Sequence, residues 1–186
     1  MMKNKSYLLL LTLSLLATAC DRVSDIDSKY EKKSQIPINA HSITVVQDFN
    51  AYSKTAESDQ LFSKTLVQGI EKWAKVRLLP VSQDGVAQIT VREASITKIP
   101  DAGNGEALDG KLNVMINFLD KNGALLSYAE AKVATHKYAP SNMSDGEHKT
   151  IMHALITQLI NALDKEIEEA IFSRFNANKD TGHVIK

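Results

Sequence analysis

The chain has a single cysteine, Cys20, which stands directly after Ala17, Thr18 and Ala19. A thiol is the strongest nucleophile among ordinary side chains once it is deprotonated, and a lone one has no partner for an internal disulfide. What precedes it supplies a use. Lys3 and Lys5 form a short positive stretch, residues 7–16 are uncharged and mostly apolar, and small residues at Ala17 and Ala19 mark a cleavage site between Ala19 and Cys20. A membrane-spanning helix needs about 20 apolar residues. Residues 7–19 fall short of that and contain Thr12, Ser14 and Thr18. The segment therefore reads as a removable leader, with Cys20 as the first residue left behind.

Elsewhere the residues that could do chemistry fail on spacing. His148 and His153 share one helical stretch, but a separation of five turns them about 140° apart, wrong for a shared metal. Glu147 beside His148 could be drawn as an acid–base pair. Ser144 three residues earlier makes a capping box instead, the serine accepting from the third amide while the glutamate reaches back. Glu166, Glu168 and Glu169 form an acidic run, and Lys165 with Glu169 is a helix-surface ion pair, so the group reads as a solvated face. The chain has no nucleophile elbow, phosphate-binding loop or His-Glu-x-x-His motif. The expectation is a non-enzyme with no catalytic residues, no metal ligands and no cofactor.

The leader resembles a bacterial lipoprotein signal. The resemblance implies that Cys20 receives a diacylglycerol and, after cleavage at Ala19, becomes an acylated N-terminus. Leucine is commoner in that family where this chain has Ala17. An ordinary cleaved secretory signal fits the same hydropathy, but gives no reason for the sole cysteine to lie at the cut. Acyl chains are a sufficient anchor, since two already hold a protein stably. The implied location is the cell envelope, facing the periplasm. Asp21 is similar to the residue that retains enteric lipoproteins in the inner membrane, a rule that other bacterial groups do not all follow.

The 22 basic and 22 acidic residues balance, and loss of Lys3 and Lys5 leaves the mature chain at −2. No field remains to attract nucleic acid, so the expected partners are the membrane, through the lipid, and an envelope protein. A hydrophobic content of 44% supports a folded core. Residues 1–19 are the leader and 20–35, polar and of mixed charge, a flexible tether. Residues 36–175 form one domain and 176–186 a disordered tail.

Within the domain, Ile43, Val45 and Phe49 suggest a first strand. Ser58 and Asp59 supply a cap before Leu61, Phe62, Leu66, Ile70 and Trp73, whose spacing predicts one apolar helix face ended by Leu79-Pro80. Trp73 reads as core. A second strand spans 86–99, where Ala87, Ile89 and Val91 share a face but Ala94 and Ile96 take the other parity, which predicts a bulge near Glu93. Residues 100–107, with Gly103 and Gly105, read as a long flexible loop that could carry contacts.

A third strand, 108–119, has Leu108, Leu112, Val114, Ile116 and Phe118 on one face and Asp109, Lys111, Asn113 and Asn117 on the other. The turn Asp120-Lys121-Asn122-Gly123 returns the chain as a fourth strand over 124–138. Met115, Leu126, Tyr128, His136 and Tyr138 fall on the sheet face away from the helices. After Ser144, an apolar stripe of Ile151, Met152, Leu155, Ile156, Leu159, Leu163, Ile167 and Ile171 predicts a helix to about Phe172. The order β-α-β-β-β-α predicts an α+β two-layer sandwich, with two helices on one face of a four-stranded sheet.

The stretches Ile70-Glu71-Lys72-Trp73-Ala74-Lys75-Val76-Arg77-Leu78, Ile89-Thr90-Val91-Arg92-Glu93-Ala94-Ser95 and Glu166-Ile167-Glu168-Glu169-Ala170-Ile171 resemble a group of small uncharacterised alphaproteobacterial lipoproteins. The plan is also similar to the lipopolysaccharide-assembly lipoprotein and to auxiliary lipoproteins of ABC-type transport systems, an analogy of fold. These resemblances imply an accessory or binding component in envelope transport or assembly. A ligand- or peptidoglycan-binding module is the alternative, and an enzyme ranks third.

Overall fold

Alternating apolar and polar residues build a long central hairpin, and the helices cover its apolar side. The computed structural model describes residues 33–48, 57–101 and 105–180. The expectations for Ala19, Cys20, Asp21 and Phe49 lie outside these residues, as do those for 181–186. The elements are β1 (Ile36–Ile38), β2 (Ser42–Gln47), α1 (Glu57–Arg77), β3 (Leu78–Pro80), β4 (Val86–Asp101), β5 (Gly105–Leu119), β6 (Leu125–Pro140) and α2 (Asp145–Asp180).

The main sheet has four strands in the order β2-β4-β5-β6, with β2 parallel to β4 and the other pairs antiparallel. Helix α1 is the crossover between the parallel strands, and α2 returns along the same face. This is the expected α+β sandwich. Its core joins Ala87, Ile89, Val91, Leu108, Leu112, Val114 and Ile116 of the sheet to Phe62, Leu66, Ile70 and Trp73 of α1 and to Leu155, Leu159, Leu163 and Ile167 of α2. Leu61, expected on that stripe, is exposed. It lies one residue before Phe62, and therefore about 100° around the helix from the buried line.

The bulge is where the parity change required it: the β4–β5 register shifts between Val91 and Glu93. Arg92 is the extra residue, which lets Val91 and Ala94 both face the core. At the far side of the hairpin the turn is held by one carboxylate. Asp120 Oδ1 accepts from the Asn122 and Ala124 amides, each at 2.8 Å, and Gly123 takes φ 83°. Those hydrogen bonds, that of Ala124 foremost, hold the Asp120 carboxyl below its ordinary pKa.

Four local expectations are corrected. A second, two-stranded parallel sheet pairs β1 with β3, Ile36 opposite Leu78. Three-residue strands are too short for periodicity, and Leu79-Pro80 reads as the end of a helix. Helix α1 begins at Glu57, so Ser58 and Asp59 fall in its first turn and not at its cap. The expected loop over 100–107 is largely strand: Ile99, Pro100 and Asp101 pair with Ala107, Glu106 and Gly105, leaving 102–104 outside the described residues. Helix α2 continues to Asp180, well past Phe172.

Close approach of α2 to the sheet depends on Gly110 in β5. A Cβ there would lie 2.9 Å from Leu159 Cδ1 and 3.3 Å from Leu155 Cδ2, so the absent side chain is what lets the two leucines seat. The opposite sheet face is largely polar, with Arg92 and Lys132 at 3.7 and 3.3 Å from the Glu130 carboxylate. No helix among the described residues is long and apolar enough to cross a membrane.

Candidate functional site

Two helix faces meet in an ion cluster. Trp73 and Arg77 lie one turn apart at the end of α1, and Asp164 and Glu168 lie one turn apart on α2, so the pairing of the helices sets two donors against two acceptors. Arg77 Nε donates to Asp164 Oδ1 at 2.6 Å and Trp73 Nε1 donates to the same oxygen at 2.9 Å. Arg77 Nη2 donates to Glu168 Oε2 at 3.0 Å. The other oxygen of Asp164, Oδ2, accepts from Lys33 Nζ at 2.6 Å.

Burial makes these contacts matter. Asp164 is 0% exposed and Arg77 1%, whereas the Lys33 side chain is 45% exposed. Burial pushes the Asp164 carboxyl up, but hydrogen bonds from Arg77, Lys33 and Trp73 and the Arg77 charge outweigh it and hold the group below the ordinary carboxylate value. Two positive and two negative groups balance, so the cluster carries no net charge into the core. Both Asp164 oxygens are committed to donors on the same chain. A carboxylate so engaged serves as a clamp between α1, α2 and the N-terminal segment.

That segment is tied to the helices at two further points. Gln35 Nε2 donates to the Val76 carbonyl at 3.2 Å. Ile36 and Ile38 are then buried alongside Leu78 and Pro80. Lys33 and Gln35, both within the stretch read as tether, thus contact the folded unit.

The sequence-predicted groups fall elsewhere. Cys20 and Ala19 lie outside the described residues. Glu147 is engaged by the cap, its Oε2 accepting from the Ser144 amide and hydroxyl, each at 2.8 Å, and these bonds lower its pKa. His148 Nε2 lies 3.9 Å from Glu106 Oε1, while His153 projects from α2 one and a half turns on. Lys165 and Glu169 pair at 3.8 Å on an exposed face. Among the described residues no group of three or more His, Cys, Asp or Glu side chains could hold a metal ion.

Leu126, Tyr128, His136 and Tyr138 are exposed on β6, and Met115 is half-buried between Thr90 and Glu130. Two depressions open at opposite ends of the sheet. One, of about 360 Å³, is bounded by Gly105, Glu106, Pro140, Met143 and His148. The other, of about 230 Å³, is bounded by Asn39, Ser82, Gly85, Leu119, Lys121 and Leu126.

Sequence reasoning placed Trp73 in the core but missed its partner. A signal was present: Asp164 follows Ile156 and Ile160 at four-residue steps and precedes Ile167 by three, so it occupies the apolar stripe itself. Arg77 likewise continues the line of Ile70 and Trp73.

No family model matches this chain, and no curated protein matches it. Among solved structures, the chain is similar to a minor lipoprotein of Acinetobacter baumannii, at 12% identity over 69% of this chain and 92% of the other, with a TM-score of 0.41. It is similar to an uncharacterised lipoprotein B of Nitrosomonas europaea at 10% identity, over 83% and 97% of the two chains, with a TM-score of 0.42. A Xanthomonas campestris protein gives 14% identity, 78% and 91% coverage and a TM-score of 0.39. Similarity of this size assigns neither activity nor partner.

Proposed function

We propose that this chain is a lipid-anchored protein of the bacterial envelope, facing the periplasm, whose folded domain works by binding and not by turnover. The observation that carries the reading is the position of the sole cysteine, Cys20, directly after the small residues of a leader-like segment. The ion cluster supports the second half. Its buried acid is occupied by Arg77, Trp73 and Lys33, and Glu147 is occupied by its cap. Both serve the fold. The finer reading is an accessory role in envelope transport or assembly, with a membrane protein complex as partner.

The test is a mild-detergent pull-down of the full-length chain from its own membranes, beside a Cys20→Ala form. A stoichiometric envelope complex recovered only with the cysteine form supports the anchored accessory role. Equal recovery with both forms, or none with either, removes it, and binding of peptidoglycan or a small ligand by the Cys20→Ala form would replace it.

A further inference from the structure

An asparagine followed by glycine carries its own reagent. The glycine amide nitrogen can attack the asparagine Cγ, because the second residue has no Cβ to crowd the ring that forms. Such a pair, Asn122–Gly123, lies in the turn between β5 and β6. Both residues are exposed, and a Cβ placed on Gly123 would meet nothing within 4 Å. No neighbouring group therefore blocks ring closure. The other such pair in the sequence, Asn104–Gly105, has its asparagine outside the described residues.

What restrains Asn122 is Asp120. The Gly123 amide, which is the nucleophile, donates to the Asp120 carbonyl at 3.0 Å. Asp120 Oδ1 accepts from the Asn122 and Ala124 amides, each at 2.8 Å, so the backbone is held on both sides of the Asn122–Gly123 bond. The second carboxylate oxygen, Oδ2, lies 3.5 Å from Asn122 Nδ2 and orients the carboxamide. Bringing the Gly123 nitrogen onto Cγ requires rotation about the backbone that breaks these bonds. The turn must open before the reaction can begin.

We infer that Asn122 is a latent deamidation site and that Asp120 is the lock that sets its rate. The Gly123 nitrogen forms a bond to Asn122 Cγ, the Cγ–Nδ2 bond breaks, and the Gly123 amide proton leaves with Nδ2 as ammonia. Water then opens the resulting succinimide at either carbonyl, leaving aspartate or isoaspartate at this position. Either product undermines the lock. A carboxylate replaces the Nδ2 donor beside Asp120 Oδ2 and sets two like charges side by side. Isoaspartate also adds a methylene to the backbone of the turn, which spoils the spacing of the Asn122 and Ala124 amides on Oδ1. The modification thus loosens the start of β6, where Leu125 pairs with Leu119.

The test follows the full-length protein through a long incubation at mildly alkaline pH, with peptide mapping by mass spectrometry for amide loss and isoaspartate at Asn122. The comparator is a synthetic peptide of residues 117–127, in which the turn is free to open. The native chain is expected to react about ten-fold more slowly than the peptide, and Asp120→Ala to recover most of that difference. Lys121→Ala, which leaves all of these bonds in place, should keep the native rate. Near-ultraviolet dichroism from buried Trp73 reports whether the Asp120→Ala chain is folded. If it is not, Asp120→Asn, which keeps an acceptor without the charge, carries the comparison, with a rate between those of native chain and peptide. A native chain as fast as the peptide, or a folded Asp120 variant no faster than the native chain, overturns the lock. Absence of conversion in the peptide itself overturns the site.

Discussion

Arg77 Nε meets Asp164 Oδ1 at 2.6 Å across the interface of two helices, and neither side chain is reached by solvent. An isolated charge in that position would be costly, so each residue makes the other tolerable. Trp73 extends the arrangement by bonding the same oxygen, which ties the largest buried side chain of the core to the ion pair. The cluster thus fixes how α1 and α2 seat against each other. Lys33 then attaches the arriving chain to the same carboxylate.

Removing one partner should be worse than removing both. Asp164→Ala leaves Arg77 with Glu168 as its remaining carboxylate and should cost about 3–5 kcal/mol. The pair Arg77→Met with Asp164→Leu, which replaces charge by apolar volume, should cost less than Asp164→Ala alone. Urea unfolding of the three forms checks the order, and a double variant weaker than the single would refute it.

Acid should loosen the fold through Asp164. Its folded-state pKa is depressed, so its contribution is fully present above the unfolded value of about 3.9 and is lost as pH falls through the folded value. Stability of the native chain should therefore decline on acidification below about pH 4. Asp164→Asn should be less stable at neutral pH and show a shallower decline, read as urea midpoint against pH.

Lys33→Ala should have a smaller effect, about 1 kcal/mol, because its side chain is half exposed while the carboxylate it serves keeps Arg77 and Trp73. Its distinctive result is local. Limited proteolysis should cut ahead of Ile36 sooner, with the core equally resistant.

Gly110→Val should push α2 from the sheet, since even a Cβ comes within 2.9 Å of Leu159. A loss of about 1–3 kcal/mol is expected from such overpacking. Truncating the opposing leucine in the same chain, Leu159→Ala, should recover part of it, which a thermal melt would show.

The architecture was legible where periodicity is long. The alternation in 108–119, the parity change at Glu93 and the stripe from Ile151 to Ile171 each impose one geometry, and β5, the bulge and α2 follow them. The β1–β3 pair was not legible, because three residues opposite three others carry no repeat and the partners lie far apart in sequence. The ion cluster hid for a different reason. Asp164 and Arg77 read as ordinary polar residues until two helices are docked, and only their places within apolar stripes set them apart. The 100–107 stretch misled because Gly103, Gly105 and Pro100 signal a loop locally, whereas pairing along the long hairpin carries Pro100 and Gly105 into strands.

The central claim concerns Cys20, and intact-mass and peptide analysis of the protein taken from its own membranes tests it most directly. The account predicts an N-terminal peptide that begins at Cys20 and carries a diacylglycerol and an amide-linked acyl chain, lost to an unprocessed or soluble form in Cys20→Ala. A mature protein that begins elsewhere, or one that retains Cys20 as a free thiol, would contradict it.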